Sequence, residues 1–180
     1  MAHDIELELT YLAGHVPEEI KNATPMAMRD IYVPVSAAHP RLRIRRRGDT
    51  YEITKKQPIA AGDASRQLEQ TIPLESAEFN ALSQAPGRVI EKDRYAVTIE
   101  GRQAEVDVFR GALEGLVLID FEFPSEAAQQ AFTPPACCLA DVTQESFIAA
   151  GLLAGKTYED IAPKLAAYGY QRLAVFATTR

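Results

Sequence analysis

Cysteine is nearly absent from this chain. Cys137 and Cys138 are the only two among 180 residues, and they are neighbours. Adjacent cysteines build neither a disulfide framework nor a zinc knuckle, so two buried thiols in a reducing compartment, the cytoplasm, are expected. No apolar run approaches the roughly 18–20 residues of a membrane helix. The opening residues Met1-Ala2-His3-Asp4 lack the basic and apolar character of a secretory leader, and none is expected. Repeats, low-complexity tracts and long linkers are also missing, which leaves one domain over 1–180.

Familiar catalytic signatures are missing too. His3, His15 and His39 have no metal-ligand spacing, and His39 before Pro40 reads as a turn residue. The order of residues shows no Ser/His/Asp or Cys/His constellation. Gly151-Leu152-Leu153-Ala154-Gly155-Lys156-Thr157 resembles a P-loop, but it has three residues between its glycines instead of four, and no strand precedes it. The end of one helix followed by the start of the next explains it better. Positive charge is in deficit: the net charge is −6 and the pI about 5.1. Such a balance repels nucleic acid and anionic membranes, so neither is expected as a partner. The run Arg45-Arg46-Arg47 lacks interleaved aromatics, and Arg46 and Arg47 are expected to be solvated near a turn.

What the chain does have is a series of short strands. Asp4–Leu12, Ile31–Val35, Arg41–Arg46, Tyr51–Lys56, Gln67–Ile72, Val89–Ile99, Gln103–Arg110 and Leu116–Phe123 read as about eight. Arg47-Gly48-Asp49-Thr50 and Glu100-Gly101-Arg102 mark hairpin turns. Eight antiparallel strands suit a closed barrel over about 4–123. Short helices are expected at Pro17–Ala23, Pro25–Met28 and Ser76–Ser83, and from Ser125, a candidate N-cap, to Phe132. A C-terminal helical part over about 124–170 then includes Gln144–Leu153 and Tyr158–Ala167, with Gly155 as a stop. Gln171–Arg180 reads as a strand or a tail. The fold class is α+β, mainly β.

The alternation in these strands is unusually narrow. Glu6 and Glu8 alternate with Ile5, Leu7 and Leu9. Arg41, Arg43 and Arg45 alternate with Leu42 and Ile44. Glu105 and Asp107 alternate with Val106 and Val108, and Asp120 and Glu122 with Ile119, Phe121 and Phe123. Lys92 and Arg94 stand two apart. Each pair projects two like charges from one face of its strand. On a solvated face the cost is small, and for one strand that explanation suffices. Five strands with the same device point instead to a barrel with its apolar face packed outward and its charged face inward. Hard cations such as Mg²⁺ or Mn²⁺ take carboxylate oxygens, and Arg and Lys take phosphate oxygens. One interior holding both sets suits a triphosphate.

The ordered motifs resemble the CYTH superfamily, the triphosphate tunnel metalloenzymes. Glu6-Leu7-Glu8-Leu9-Thr10 stands where the family has Glu-x-Glu-x-Lys. Asp30-Ile31-Tyr32 looks like its Asp-x-Tyr segment. Leu42 to Gly48, followed by Tyr51, Thr54 and Lys56, is similar to its Arg-x-Arg hairpin. Lys92-Asp93-Arg94-Tyr95 matches Lys-x-Arg-Tyr. Glu105-Val106-Asp107, Gly115-Leu116 and Asp120-Phe121-Glu122 match the acidic closing strands, and Asp141-Val142-Thr143 the C-terminal segment.

The resemblance implies an eight-stranded antiparallel barrel with a hydrophilic tunnel and flanking helices. It implies Mg²⁺- or Mn²⁺-dependent hydrolysis of a small triphosphate, inorganic triphosphate first. Class IV-type adenylate cyclase and thiamine triphosphatase are the alternatives, and a homodimer is the family's frequent assembly. Carried over, Glu6, Glu8, Asp120 and Glu122 hold metal, with Asp107 and Glu69 at a second site. Arg43, Arg45, Lys56, Lys92 and Arg94 bind the phosphates. The motif lysine is Thr10 here, which carries no charge. Its loss opens a further alternative, a polyphosphate-binding module with little or no turnover. Phe147 and Ala149 also depart from the family's tyrosine and asparagine near the tunnel mouth.

Overall fold

A computed structural model describes residues 4–60 and 64–175, the side chains of 4–6 excepted. The strands are β1 (Asp4–Ala13), β2 (Met26–Val33), β3 (Leu42–Arg47), β4 (Thr50–Pro58), β5 (Arg66–Leu74), β6 (Arg88–Ile99), β7 (Arg102–Phe109), β8 (Val117–Glu122) and β9 (Cys138–Asp141). The helices are α1 (Ser76–Leu82), α2 (Glu126–Gln130), α3 (Ala150–Leu153) and α4 (Tyr158–Ala166). All pairings are antiparallel, in the order β5-β4-β3-β2-β6-β7-β8-β1. The first residues of β1 return to β5, with Asp4 opposite Glu69 and Leu7 opposite Arg66. That contact closes an eight-stranded barrel, so its strands β1 and β5 are not left as edges. Two tight turns sit where the sequence signals them. Gly48 (φ +55) joins β3 to β4, and Glu100 (φ +48) with Gly101 (φ +77) joins β6 to β7. In the second turn, positive φ at both central residues gives a twist that matches that of its strands.

Register decides which side chains face inward, because directly opposed residues share a face of the sheet. Thr10 opposes Asp120, Asp120 opposes Glu105, Asp107 opposes Arg94, Asp30 opposes Arg45, and Arg43 opposes Thr54. These residues share the inner face. The residues between them point outward and are largely apolar. Tyr95, Val97, Val106, Val108, Val117, Ile119 and Phe121 form one outer core, packed against Ile20, Phe132 and Cys137. Ile31 and Ile44 form a smaller one under Phe79 of α1. The charged-in, apolar-out barrel expected from the alternation is therefore present.

The inner face is not charged along its whole length. Leu12, Tyr32, Ile90, Phe109 and Leu118 continue it at one end, where they pack with Phe147, Ile148, Leu153, Ile161 and Leu165 of the C-terminal part. An apolar floor of this kind excludes water from beneath the charged belt. Tyr170 ties the C-terminal part down. Its buried hydroxyl accepts from Val117 N and donates to Gly115 O, both at 2.8 Å.

Several local expectations hold and others need correction. Ser125 caps α2, its Oγ accepting from Ala128 N at 3.2 Å. Glu18–Asn22 forms a 3₁₀ turn inside Pro17–Ala23. Pro25–Met28 is not helical, because Met26 already opens β2 opposite Arg94. Ladder pairing outweighs the proline start signal there. Gln144–Leu153 divides into a 3₁₀ turn at Ser146–Ile148 and the single turn of α3. β9 was not expected, and it pairs with β1 along Tyr11–Ala13. Residues 171–175 adopt no regular structure, and the rest of that tail lies outside the described residues. The P-loop look-alike is α3, Gly155 at φ +79 and the cap of α4, where Thr157 Oγ1 accepts from Asp160 N.

Candidate functional site

Two buried networks and a cross-barrel contact make up the inner belt. Where β2 meets β3, Asp30 takes both Nε and Nη2 of Arg45 at 2.7 Å. Asp30 is 1% exposed and Arg45 6%. Burial alone would raise the Asp30 pKa. The Arg45 hydrogen bonds and the charges of Arg45, Arg43 and Lys92 outweigh it and hold the carboxyl below the usual range. Arg43 lies beside this pair, close enough for its charge to act on Asp30 and on the Tyr32 hydroxyl. Its Nε is buried and has no partner among the described residues. An unused buried donor of this kind is costly unless something else accepts from it.

The second network spans β6, β7, β8 and β1. Asp107, 1% exposed, accepts from Lys92 and takes Nε and Nη2 of Arg94, both at 2.7 Å. Arg94 also pairs with Glu105, and its Nη2 reaches Asp120 Oδ2 at 3.3 Å. Thr10 Oγ1 donates to Asp120 Oδ1 at 2.8 Å. Burial, then the charge of neighbouring Arg94, lowers the Lys92 pKa. Asp120 goes the other way, pushed up to about 7 by burial and by the negative charges of Glu8 and Asp107. Across the barrel, Lys56 Nζ stands 3.5 Å from Glu8 Oε2. Glu69 accepts from Thr71 Oγ1, which in turn pairs with Thr54. The belt thus crowds carboxylates at Glu8 and Asp120, and holds cations in place at Lys92 and Arg94.

No family model matches the chain. A curated inorganic triphosphatase of Nitrosomonas europaea is 35% identical over 142 residues, 78% of this chain and 90% of that protein. The chain belongs to the CYTH superfamily, the triphosphate tunnel metalloenzymes. A crystal structure of an inorganic triphosphatase matches with a TM-score of 0.62 at 29% identity, covering 84% of this chain and 98% of that one. A Bacillus halodurans protein at 16% identity shares the fold, with a TM-score of 0.54 and coverage of 99% and 97%.

In this CYTH barrel the strand register sets Arg43, Arg45, Lys56, Lys92 and Arg94 on the inner face. Glu8, Glu69, Asp107 and Asp120 share it. Glu122 faces Glu8 across β1 and β8 and lies exposed at the rim. The Glu6 backbone opposes Gln67, while its side chain lies outside the described residues. Arg46 and Arg47 are exposed, as expected of the arginine run. Among the described residues, no three carboxylate, imidazole or thiol groups gather closely enough to enclose an ion on their own.

The sequence offered no role for Asp30, the residue that holds Arg45. It has no like-charged partner two residues away, so the alternation passes it over. The signal that could have found it is a lone acid in a strand beside an arginine strand. The anchoring of Thr10 was also missed. Its backbone N–H donates to Thr143 Oγ1 at 3.0 Å, and that hydroxyl donates to Asp141 at 2.6 Å. The C-terminal Asp-Val-Thr segment therefore positions the residue that replaces the motif lysine.

Among the described residues, no helix is long and apolar enough to cross a membrane.

Proposed function

We propose that this chain hydrolyses a phosphoanhydride bond of inorganic triphosphate inside the barrel, in the cytoplasm. The observation that carries the reading is Arg43. It faces inward beside a second arginine, and its buried Nε has no partner among the described residues. A phosphate oxygen at that donor removes the cost of leaving it unpaired. The 35% identical relative named as an inorganic triphosphatase supports the same substrate.

In this reading Arg43, Arg45, Lys56, Lys92 and Arg94 bind the phosphate chain. Asp30 and Asp107 hold Arg45, Lys92 and Arg94 in orientation before substrate arrives, which lowers the cost of arranging them at the moment of reaction. Water attacks a terminal phosphorus, a P–O bond forms, the bridging P–O bond breaks, and orthophosphate and pyrophosphate leave with release of a proton. The barrel's apolar floor keeps other water from beneath the belt.

The residues fit a divalent cation. Their donors are hard carboxylate oxygens, and Asp120, raised first by burial, is raised further by the charges of Glu8 and Asp107, which a cation would offset. Glu8, Asp120 and Glu122, with Glu6, would hold Mg²⁺ or Mn²⁺, the shell being shared with water and phosphate. Bound there, such an ion neutralises charge on the phosphate oxygens and acidifies water. A second position at Asp107 and Glu69 competes with the contacts Asp107 makes to Lys92 and Arg94.

A second reading, binding without turnover, is favoured by Thr10, whose hydroxyl gives Asp120 a hydrogen bond but no charge. Phosphate release separates the two. Inorganic triphosphate, ATP and thiamine triphosphate are each incubated with Mg²⁺ or Mn²⁺ from neutral to alkaline pH. Release from inorganic triphosphate is expected. Absence of release from all three, beside calorimetric binding, would leave the binding module.

A further inference from the structure

On the edge turned away from β8, β1 changes partner part-way along. Asp4 to Leu7 pair with β5, Tyr11 to Ala13 pair with β9, and Glu8 to Thr10 fall in the gap between the two. That gap holds Glu8 and Thr10, the residues of β1 that face the belt opposite Glu122 and Asp120. Each turns a backbone N–H and C=O toward this edge, where no ladder takes them. Backbone groups shut off from water and left unpaired are costly.

All four groups find partners, and two of those partners are side chains. Glu8 N donates to Ser65 O at 3.2 Å, just before β5 begins. Glu8 O accepts from Gln129 Nε2 at 3.3 Å. Thr10 O accepts from Val142 N at 2.9 Å, just past the end of β9. Thr10 N donates to Thr143 Oγ1 at 3.0 Å. The Thr143 hydroxyl has one hydrogen, and Asp141 Oδ1 takes it at 2.6 Å, against 3.5 Å to Thr10 O. Asp141 Oδ1 also accepts from Thr143 N at 2.9 Å. A hydroxyl held in this way keeps a lone pair for Thr10 N. The next residue, Gln144, accepts from Ala64 N at 2.9 Å through Oε1. One short segment after β9 thus grips both flanks of the gap.

We infer that Thr143 is a positioning residue for the cation site: it fixes the β1 backbone between Glu8 and Thr10, and with it the separation of the Glu8 and Asp120 carboxylates. The inference rests on the proposed divalent-cation reading and names what holds that site in shape. The path is short. The Thr10 hydroxyl donates to Asp120 Oδ1 at 2.8 Å, and Glu8 stands two residues back on the same face. Releasing the backbone at Thr10 N lets both carboxylates shift. Removing a group that orients metal ligands through hydrogen bonds typically costs roughly 10- to 100-fold in metal affinity.

The test is Mn²⁺ binding by calorimetry, first without substrate and then with inorganic triphosphate. The wild-type chain is compared with Thr143→Val, Thr143→Ser and Ile161→Val. Valine keeps the shape of threonine and loses the acceptor, whereas serine keeps the hydroxyl. Ile161 is buried in the apolar floor, so Ile161→Val controls for a general loss of stability. Thr143→Val should weaken Mn²⁺ binding about tenfold or more, with Thr143→Ser and Ile161→Val within about twofold of the wild type. Amide exchange at Thr10 in the wild type is read as well, and slow exchange is expected, so the outcome does not hang on whether Thr143→Val folds. Rapid exchange at Thr10, or equal weakening in Thr143→Ser or Ile161→Val, overturns the positioning role. If the wild type binds no Mn²⁺ with or without triphosphate, the cation part of the proposed function falls, and this role falls with it. Unchanged affinity in Thr143→Val beside normal binding by the wild type removes the positioning role alone.

Discussion

Asp30 and Arg45 face each other across β2 and β3, and the carboxylate receives two guanidinium hydrogen bonds of 2.7 Å with both partners nearly out of solvent. Arg43 and Lys92 stand close enough for their charges to act on the same carboxylate. One acid thus serves as counter-charge for three cations. Removing it leaves buried positive charge uncompensated, so Asp30→Ala should cost about 3–5 kcal/mol in urea unfolding. The double variant Asp30→Leu/Arg45→Met should recover most of that loss, since an apolar pair of similar volume replaces both ions. A double variant as unstable as Asp30→Ala would contradict this account.

Asp120 gives the barrel a pH dependence of opposite sign. Its carboxyl titrates at about 7 in the fold, against about 3.9 in an unfolded chain. The folded chain keeps a proton that the unfolded chain has released, so stability falls as pH rises from about 4 to about 7 and then levels. Asp30 and Asp107 have lowered pKa values. Their stabilisation is present above about pH 4 and is lost on further acidification. Asp120→Asn should remove the upper slope alone, read as melting temperature against pH in chelator. A slope that survives the substitution would show that Asp120 does not carry it.

Thr10 occupies the place of the motif lysine and gives Asp120 a hydrogen bond of 2.8 Å. Thr10→Lys puts a charge beside that carboxylate and should draw its pKa back down while raising phosphate release. Unchanged turnover in a variant that still binds triphosphate would dismiss the missing lysine as an explanation.

The barrel was legible because period-2 alternation with like charges on one face appears in five separate strands. The inner placement of Arg43, Arg45, Lys92 and Arg94 follows from that alternation together with strand register, while Lys56 was carried over from the family resemblance and is placed by its pairing with Glu69. The apolar end of the inner face was less legible. Leu12, Tyr32, Ile90, Phe109 and Leu118 obey the same period but pack on a C-terminal segment far away in sequence. β9 was missed because four residues carry too little pattern, and its strand character comes from pairing with β1. The pairing of Asp30 with Arg45 could not be read either, since the loop between β2 and β3 sets which arginine the acid meets.

The account stands most directly on the claim that the inside of the barrel, and not the arginine exposed on its outside, receives the phosphates. Arg43 faces inward and Arg46 faces outward on the same strand. Calorimetric titration with inorganic triphosphate in Mg²⁺ buffer should show Arg43→Ala weakened about 10- to 100-fold, the worth of charge-assisted hydrogen bonds. Arg46→Ala should match the wild type within twofold. Equal weakening in both variants, or full affinity in Arg43→Ala, would contradict the tunnel.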